Sequence, residues 1–383
     1  MKVLHVIPSL SAVHGGATSA LISMEAALTA AGVVVETATT DDDGPGHHNG
    51  RRCGVPLREG GVVRWYFPRR TEFYKTSPAF MRWIAHNVAR YDLVHIHALF
   101  SFTSMVAARA AKRARVPYVI EPLGTLNQYG LERRRPWLKQ VTLRLFEAPA
   151  LKSAAAVRFT SHQEAHEARR LGLSLKEVVI PLGIDFPPLA LNSCTRSVSS
   201  ATLNVLYLSR LDPKKNLESL LDAMALLRES VPQARLVIAG DGPSLYVEEL
   251  KARSARMGVG DIVRWAGHLE GKAKEAAFAE ACIFVLPSYS ENFGIAAAEA
   301  LARGLPCVLG SGVAISEDVV RAGAGTAVDT DCGSIFRALR RIIEDAPALH
   351  AMSANAIQLA RECYSMQAMG ASLKQLYEDV LAQ

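Results

Sequence analysis

The chain has 383 residues, of which 49% are hydrophobic and 21% are charged; this composition is ordinary for globular proteins, and the length fits two α/β domains better than one core. No stretch approaches the roughly 20 apolar residues of a membrane-spanning helix, and the opening MKVLHVIPSL is expected to be a first strand rather than a signal peptide. The net charge is +6, and residues 1–185 hold 24 Lys and Arg against 15 Asp and Glu. Because no nucleic-acid-binding motif is recognisable, this basic half favours an anionic membrane surface or a phosphorylated acceptor over nucleic acid as its partner.

Short β-branched runs alternate with helical stretches along the first half of the chain, which is typical of a parallel α/β domain. A helix is predicted from Thr18 to Ala31, and residues 41–61, which are rich in Gly and Asp, are predicted to be a mobile loop. The predicted strands are Val3–Ile7, Val33–Thr39, Val62–Phe67, Leu93–Ile96, Pro117–Ile120, Ala155–Phe159 and Val178–Pro181.

The same alternation restarts after residues 187–202, a segment rich in Pro, Ser and Thr that we predict to be an interdomain linker. A helix is predicted over Leu217–Ser230. We therefore expect an N-terminal domain over residues 1–186, a C-terminal domain over 203–365 and a last helix over 366–383. The predicted strands of the second half are Leu203–Leu208, Arg235–Ala239, Ile262–Ala266, Ile283–Pro287 and Pro306–Leu309.

The six cysteines show no CxxC pair and no metal-ligand spacing. Cys282 and Cys307 lie in apolar, strand-like contexts, so we expect buried free thiols. Free thiols favour a reducing compartment. We therefore expect a cytoplasmic protein, and the basic half leaves open a peripheral contact with the inner face of the membrane.

The segment that follows the strand ending at Pro287 has the pattern of a ligand site. Gly294 is predicted to open an alanine-rich helix, which Gly304 closes. The N-terminus of this helix would face the carboxyl edge of a parallel sheet, where open α/β sheets bind their ligands. Backbone N–H groups around Phe293–Ile295 would favour a diphosphate there.

Two carboxylates and two cations accompany this turn. Glu291 and Glu299 flank it, and a carboxylate can accept paired hydrogen bonds from sugar or ribose hydroxyls. Arg210 and Lys215 follow the strand Leu203–Leu208, where two cations can neutralise a diphosphate leaving group. Taken singly, each glutamate could be a surface residue and the cations a solvated loop, so the prediction depends on the whole set.

Glu291 and Glu299 have the spacing E-x7-E, and their segment resembles the motif of retaining glycosyltransferase family 4, which has the GT-B fold. The similarity continues through VLHVIPSL, VHIHAL, SRLDPKKN, IAGDGP and YSMQAMGASLKQLYEDV, so it covers nearly the entire chain. It implies two Rossmann-like, doubly wound domains facing across a cleft. It also implies that the C-terminal helix returns to the N-terminal domain.

The resemblance gives roles to individual residues. Glu299 would bind the donor ribose, and Glu291 would contact the transferred sugar. Arg210 and Lys215 match the family's phosphate-binding cations, although the adjacent Lys214 leaves the register open by one residue. The other donor-binding residues implied by position are Gly16, Asn292, Phe293, Gly294 and Ile295.

Two glycines and two histidines of the first half need separate interpretation. Gly15 and Gly16 do not form GxGxxG, so a dinucleotide site is disfavoured; the resemblance implies that the Gly16 backbone approaches the donor diphosphate, and a plain flexible turn is an equal alternative. We expect His95 and His97 to point to opposite faces of their strand. The resemblance implies that His97 contacts the sugar, whereas His95 is expected to be structural.

Two positions depart from the family's pattern. Leu123 stands where many relatives carry a histidine, and residues 313–316 stand where relatives commonly show a Gly-Gly turn. Leu123 can neither hydrogen-bond nor transfer a proton. Either Glu121 compensates, or the acceptor chemistry differs, or activity is weaker than in relatives.

The reaction implied by the resemblance is transfer of a sugar from a nucleoside diphosphate sugar to a hydroxyl of a glycan or lipid-linked acceptor, with retention, in surface polysaccharide biosynthesis. The acidic run Asp41–Asp43 lies in a predicted loop and no Asp-x-Asp motif is suitably placed, so we expect no metal and no cofactor. Two alternatives stay open: a GT-B sugar-nucleotide epimerase, and a non-catalytic member that binds a glycan or a nucleotide.

The segment Glu132–Lys152 combines basic residues with apolar ones and predicts a basic amphipathic helix. Such a helix can lie on an anionic membrane surface. We expect its apolar side to pack against the domain's own core and the arginines Arg133–Arg135 to meet the membrane.

Overall fold

The computed structural model of the chain describes residues 1–11, 13, 16–72, 74–126, 136–186 and 202–383, so almost all of the predicted linker over 187–202 lies outside the described residues. The described residues form two compact units. The N-terminal unit comprises Met1–Gly183 with Met366–Gln383, and the C-terminal unit comprises Ile184–Ser365.

Within the described residues, the N-terminal unit is built on an eight-stranded sheet with the order β3-β4-β2-β1-β5-β6-β7-β8. Its strands are β1 (Lys2–Val6), β2 (Val34–Thr40), β3 (Pro56–Glu59), β4 (Val62–Phe67), β5 (Leu93–His97), β6 (Tyr118–Glu121), β7 (Ala156–Phe159) and β8 (Glu177–Val179). The pairs are parallel apart from β3, which runs antiparallel to β4 at the edge. Both β5 and β6 are buried along their whole length, as parallel strands covered on both faces should be.

Helices connect these strands, and serines fix where several of them begin. Ser77, Ser101 and Ser161 each accept a hydrogen bond from a backbone N–H in the first turn of the following helix. The first N–H groups of a helix have no acceptor within the helix, and each serine side chain supplies one. A π-helical turn over Leu143–Glu147 joins the fourth helix to the fifth. The helices are α1 (Gly16–Ala30), α2 (Pro78–Asn87), α3 (Phe102–Ala114), α4 (Pro136–Thr142), α5 (Ala148–Ser153) and α6 (His162–Arg169).

The C-terminal unit repeats this architecture, and its described residues form a six-stranded, fully parallel sheet of order β11-β10-β9-β12-β13-β14. Its strands are β9 (Leu203–Leu208), β10 (Ala234–Ala239), β11 (Val263–Gly267), β12 (Ile283–Leu286), β13 (Cys307–Gly310) and β14 (Gly325–Val328). Its helices are α7 (Leu217–Ser230), α8 (Ser244–Arg256), α9 (Gly271–Glu280), α10 (Ile295–Ala302), α11 (Ser316–Arg321), α12 (Cys332–Glu344) and α13 (Ala346–Cys363).

The last helix, α14 (Met366–Leu381), belongs to the N-terminal unit. Its side chains Leu373 and Tyr377 are fully buried in one core cluster with Met24 and Leu28 of α1. Gly370 lets the two helices approach closely, since a Cβ there would lie 2.7 Å from the carbonyl oxygen of Ala27. The predicted return of the C-terminal helix is therefore confirmed.

The doubly wound α/β prediction is confirmed, but some details of it are wrong. Residues 41–61 contain the strand β3, and β14 was not among the predicted strands. Cys307 is buried as expected, whereas Cys282, the residue before β12, is only half-buried. Across the described ranges, the structure contains no helix with the length and apolar character that crossing a membrane requires.

Candidate functional site

The carboxyl ends of β9 and β12 lie side by side at the point where the strand order of the C-terminal sheet reverses. Open α/β sheets bind ligands at such switch points. Arg210 and Lys215 follow β9, and Glu291 follows β12, so the topology brings these predicted residues to one edge of the sheet.

The centre of this edge is an ion pair between Lys215 and Glu291. Lys215 ends a 3-10 turn over Pro213–Lys215, which Asp212 caps by accepting a hydrogen bond from the Lys214 amide at 3.1 Å. The Lys215 side chain is largely buried, and its ammonium meets Glu291 Oε1, to which Ser288 Oγ also donates at 3.0 Å. The turn therefore places an ammonium and a carboxylate together at the switch point.

The structure distinguishes the two adjacent lysines. The Lys214 carbonyl accepts a hydrogen bond from the Tyr289 amide, whereas it is the side chain of Lys215 that reaches Glu291. Burial lowers the pKa of Lys215, Glu291 opposes that shift, and the positive charges of Lys214 and Arg210 add to it. Three cations thus cluster at one edge, which is favourable for a polyanion.

Arg210 is exposed at this edge. Among the described residues, no hydrogen bond or ion pair involves its guanidinium, although its charge acts on Lys215. A planar guanidinium offers paired donors that suit a phosphate. Arg210 is therefore placed to meet an anion from solution.

The helix α10 begins at the same edge through Gly294, which has a left-handed backbone (φ +96°) and acts as its N-cap. A Cβ at this position would also lie 3.0 Å from Val313 Cγ1, so both the conformation and the space favour glycine. In the part of the chain that the structure describes, the amides of Phe293, Gly294 and Ile295 donate no hydrogen bond. Unpaired N–H groups at a helix N-terminus favour an anion.

The side chains of the predicted donor-binding turn have different surroundings. Phe293 is buried and packs edge-on against Tyr364, with ring centroids 5.5 Å apart, so what it offers to a ligand is its backbone. Asn292 is exposed, and Ile295 is half-buried. The turn is braced by residues 312–314, since the Glu291 amide donates to the Gly312 carbonyl and a Cβ on Gly312 would lie 2.0 Å from the Tyr289 carbonyl oxygen.

Glu299 lies on α10 and pairs with Lys274 of α9, with 2.7 Å between Glu299 Oε1 and Lys274 Nζ. The two predicted carboxylates are therefore held by different lysines. Lys274 and Ser288 are partners that sequence reasoning missed. A lysine on a helix facing α10 has no sequence signature that separates it from a solvated surface residue.

In the N-terminal unit, a cavity of about 360 Å³ opens at the carboxyl edge of the sheet. Most of its lining is apolar, and it includes Leu123, the position where the family's pattern has a histidine. Gly16 is exposed at the start of α1, next to Ala17 of the lining. The lining residues are Ile7, Pro8, Ser9, Ala17, Glu72, Tyr74, Lys75, Ala98, Leu99, Phe100, Ser101 and Leu123.

His97 lies inside the N-terminal unit with 1% of its surface exposed. Its Nδ1 is 2.9 Å from Glu121 Oε2, and its Nε2 is 2.9 Å from His5 Nδ1. A sugar contact by His97 requires these contacts to change, and that role stays a prediction. The expectation that His95 and His97 point to opposite faces is wrong, because residues two apart in a strand share a face, and their ring centroids are 4.3 Å apart.

Glu121, considered above as a substitute for the missing histidine, is fully buried and is not among the residues that line the cavity. Arg158 Nη1 donates to Glu121 Oε1 at 2.6 Å, and the same guanidinium donates to the carbonyls of Ile180 and Pro181. Burial raises the pKa of Glu121, but the positive charge of Arg158 and the hydrogen bonds from His97 and Arg158 together outweigh it and lower that pKa. Burial lowers the pKa of His95, which packs on Tyr377 as a structural residue.

The acidic run Asp41–Asp43 is engaged in the N-terminal unit. Asp42 is buried and pairs with Arg69, with 2.9 Å between Oδ1 and Nη1, and also with Lys75. Ser11 donates to Asp43 at 2.7 Å. Asp42 is therefore neutralised by cations of its own unit, and Asp43 is hydrogen-bonded within it.

Apolar side chains are exposed along α4 and the π-helical turn that follows it. Trp137, Val141 and Leu145 are 67%, 44% and 62% exposed and are spaced four residues apart, so they lie along one side of the helix. The expectation that the apolar side packs into the core is wrong for these three, although Leu151 of α5 is buried. The predicted membrane-facing arginines, Arg133–Arg135, lie outside the described residues.

Two sequence families match the chain, one for each unit. The family described as Glycosyl transferases group 1 matches residues 199–359, and the family described as Glycosyl transferase 4-like domain matches residues 15–183. Together they cover most of the chain. The first contains the candidate residues of the C-terminal unit, Arg210, Lys215, Glu291, Gly294 and Glu299, which are called the donor edge below.

Two curated proteins are similar in sequence to most of this chain, at low identity. The D-inositol 3-phosphate glycosyltransferase of Streptomyces avermitilis is 26% identical over 79% of this chain and 68% of its own length. The GDP-mannose:cellobiosyl-diphosphopolyprenol alpha-mannosyltransferase of Komagataeibacter xylinus is 24% identical over 86% of this chain and 81% of its own length.

Among solved structures, the Anabaena protein HepE in complex with UDP has the same fold. It is 20% identical, with a TM-score of 0.78 over 99% of this chain and 100% of that chain. At this identity, the likeness concerns the fold.

Proposed function

Since the chain belongs to the glycosyltransferases of family 4 and has the GT-B fold, we propose that it transfers a sugar from a nucleoside diphosphate sugar to a hydroxyl of a glycan or lipid-linked acceptor, with retention of the anomeric configuration. The acceptor class is supported by the relative that acts on a diphosphopolyprenol, as its name states. A role in surface polysaccharide biosynthesis follows from an acceptor of that class.

The observation that carries the proposal is the cluster around the Lys215–Glu291 ion pair at the switch point of the C-terminal sheet. An ammonium has three donors, so Lys215 can hold Glu291 and a phosphate oxygen at once. Arg210 and the unpaired amides at the start of α10 add positive potential from two further directions. Such preorganised groups stabilise the negative charge that develops on a departing diphosphate.

Glu299 is the group proposed to bind the ribose. Its side chain on α10 is 20% exposed, and its carboxylate can accept hydrogen bonds from two vicinal hydroxyls. Lys274 holds one of its oxygens and thereby fixes its direction. Glu291, kept in place by Lys215 and Ser288, is the group proposed to contact the transferred sugar.

In the proposed reaction, the bond between the sugar C1 and the diphosphate oxygen breaks, and the acceptor hydroxyl forms a bond to C1 on the same face. The hydroxyl proton passes to an oxygen of the leaving diphosphate, so no residue of this chain needs to act as a covalent nucleophile. Arg210 and Lys215 compensate the charge of the diphosphate. The reaction is proposed to need neither a metal ion nor a cofactor.

The N-terminal unit is proposed to hold the acceptor in the cavity of about 360 Å³. Leu123 gives this cavity an apolar wall, which suits an acceptor whose position is fixed by shape more than by a hydrogen bond to residue 123. A lipid-linked acceptor would also explain the exposed side chains Trp137, Val141 and Leu145, which are proposed to touch the inner face of the membrane.

The proposal is tested by incubating the protein with UDP- and GDP-linked hexoses and a short-chain polyprenyl diphosphate-linked disaccharide. We expect one donor to release its nucleoside diphosphate in the presence of the acceptor, and NMR of the product to show the donor's anomeric configuration. Inversion of that configuration would contradict retention. Release at the same rate without acceptor would favour the epimerase alternative, and nucleotide binding without any turnover would favour a non-catalytic member.

A further inference from the structure

Three histidines meet on one face of the N-terminal sheet, at the point where its strand order reverses. His5 of β1 stands opposite His95 of β5 in the parallel register, and His97 lies two residues further along β5. His5 and His95 are fully buried, and His97 is 1% exposed. This cluster lies in the N-terminal unit and shares no residue with the donor edge of the C-terminal unit.

The rings are close enough to share one ligand. Their centroids are 4.3 Å apart for His95 and His97, 5.0 Å for His5 and His97, and 5.1 Å for His5 and His95. One ring nitrogen from each histidine lies within 4.8 Å of the others. Two nitrogens that each lie about 2 Å from one ion are at most about 4 Å apart, so binding of an ion would draw the three rings slightly closer together.

The hydrogen bonds of the cluster leave nitrogen atoms unused. Nδ1 of His97 contacts Glu121, and Nδ1 of His95 contacts the hydroxyl of Tyr377 at 2.7 Å. Nε2 of His97 lies 2.9 Å from Nδ1 of His5, a contact that an ion between the rings would replace. Among the described residues, Nε2 of His5 and Nε2 of His95 have no hydrogen-bond partner. Buried polar atoms nearly always have one, so these two nitrogens indicate an occupant at the cluster.

We propose that His5, His95 and His97 form a site for a divalent transition-metal ion of the zinc class. Three imidazoles with no carboxylate among the ligands favour such an ion over magnesium or calcium. A metal-binding histidine usually contacts a carboxylate or another polar group through its second nitrogen, as His97 does with Glu121 and His95 with Tyr377. The ion would be structural, because the ligands are buried and belong to two neighbouring strands.

The site also ties the sheet to the last helix. Tyr377 lies on α14, so the hydrogen bond to His95 connects α14 to a ligand of the ion. The proposal and the sugar-contacting role predicted for His97 exclude each other, since Nε2 of His97 would be bound to the ion. A His97→Ala variant therefore loses the ion under this proposal, whereas under the sugar-contact prediction the wild type and the variant have the same metal content.

The test is the metal content of the full chain, produced without a histidine tag in medium supplemented with zinc and measured by plasma mass spectrometry after gel filtration. We expect about one zinc ion per chain. A parallel preparation in cobalt medium should show the visible absorption of a nitrogen-ligated Co²⁺ ion. Zinc content below about a tenth of an ion per chain, with no cobalt spectrum, would overturn the proposal and leave a water molecule as the occupant of the cluster.

Variants locate the ion. His5→Ala and His95→Ala should each reduce the metal content at least tenfold, whereas His86→Ala, a change of an exposed histidine on α2, should leave it unchanged. If the cluster variants do not fold, the zinc content and the cobalt spectrum of the wild type still decide whether the protein binds an ion. Nucleotide binding is a separate readout, so failure of this proposal leaves the proposed transferase function untouched.

Discussion

At the scale of single residues, the N-terminal unit is unusual for the ionisable groups inside it. Arg158, Glu121 and Glu147 are all buried, although charged side chains are rarely so unless they are paired. Arg158 and Glu121 neutralise each other. Among the residues that the structure describes, Glu147 has no such cation; its carboxylate accepts a hydrogen bond from the Phe100 amide at 3.0 Å.

Replacing Arg158 should therefore make the N-terminal unit easier to unfold. We expect Arg158→Met to lower its free energy of unfolding by about 3–5 kcal/mol, because Glu121 is left as an unpaired buried charge. Urea unfolding followed by circular dichroism measures the change. The double variant Arg158→Met with Glu121→Gln should recover part of this loss, because the unpaired charge is removed. A decrease of less than about 1 kcal/mol in the free energy of unfolding of Arg158→Met alone would contradict the pairing.

Glu147 makes the stability depend on pH. Burial raises its pKa to about 7, and the hydrogen bond from Phe100 opposes this. A carboxyl whose pKa is higher in the folded state than in the unfolded state adds to the free energy of unfolding. This contribution is fully present below the pKa of the unfolded state, and it is lost as the pH rises through about 7, the pKa of Glu147 in the folded state. Glu147→Gln should thus raise the free energy of unfolding at pH 8 by up to about 3 kcal/mol, since one pKa unit corresponds to 1.36 kcal/mol.

Thermal unfolding at pH 5 and pH 8 checks this prediction. The variant should gain stability relative to wild type at pH 8 and less at pH 5, where Glu147 is protonated in the folded state. Glu167→Gln, a change of a partly exposed glutamate on α6, is the control. An equal effect of Glu147→Gln at both pH values would argue against a raised pKa.

At the scale of elements, the turn into α10 is the most constrained part of the donor edge. Gly294→Ala should destabilise the C-terminal unit by about 1–3 kcal/mol, because alanine must adopt φ +96° and its Cβ would press on Val313. The same change should weaken nucleoside diphosphate binding, since it displaces the amides at the start of the helix. Calorimetric titration and thermal unfolding measure the two effects.

Gly258→Ala is the matched control for that experiment. Gly258 also has a positive φ of +68°, but no atom lies within 4 Å of a Cβ built there. This variant should lose stability through backbone strain and keep its nucleotide affinity. If Gly294→Ala and Gly258→Ala bind nucleotide equally well, the N-terminus of α10 is not the anion site.

Elements also show what sequence could and could not predict. Apolar strands such as β9 and β10 were predicted within a residue or so, because burial on both faces makes them continuous. The edge strand β3 was missed because alternate residues of it are exposed, so its composition is that of a loop. Motif position assigned Lys215 and Glu291 to one predicted site, and the structure adds that they form an ion pair. The pairing of Glu299 with Lys274 depends on how α9 packs beside α10 and has no local signature.

At the scale of the whole molecule, both units have the same central strand order, and each has its candidate ligand residues at the reversal point of its sheet. In the C-terminal unit these are the donor-edge residues around Lys215. In the N-terminal unit the reversal point lies between β1 and β5, next to the 360 Å³ cavity. Topology thus explains why two unrelated sequence segments lie at equivalent positions.

The exposed side of α4 gives a prediction about the molecule's surroundings. The double variant Trp137→Ser with Leu145→Ser should co-sediment less with vesicles containing anionic lipid than wild type, because it removes two large exposed apolar groups of α4 and of the π-helical turn that follows it. Added salt should also weaken wild-type binding. Leu245→Ser, which changes an 81% exposed leucine on α8, is the control and should bind as wild type does. If the double variant binds the vesicles as well as wild type does, these side chains do not contact the membrane.

The central claim is that the cluster around Lys215 and Glu291, together with Glu299, binds the nucleoside diphosphate of a sugar donor. Calorimetric titration of wild type and Glu299→Ala with UDP and GDP tests it most directly, with Glu344→Ala on α12 as the exposed control. We predict that wild type and the control bind one of the two nucleotides, and that Glu299→Ala binds it at least about tenfold more weakly, since a hydrogen bond to a charged group is worth about 1.5–3 kcal/mol. Unchanged affinity of a folded Glu299→Ala variant, or no binding of either nucleotide to wild type, would contradict the account.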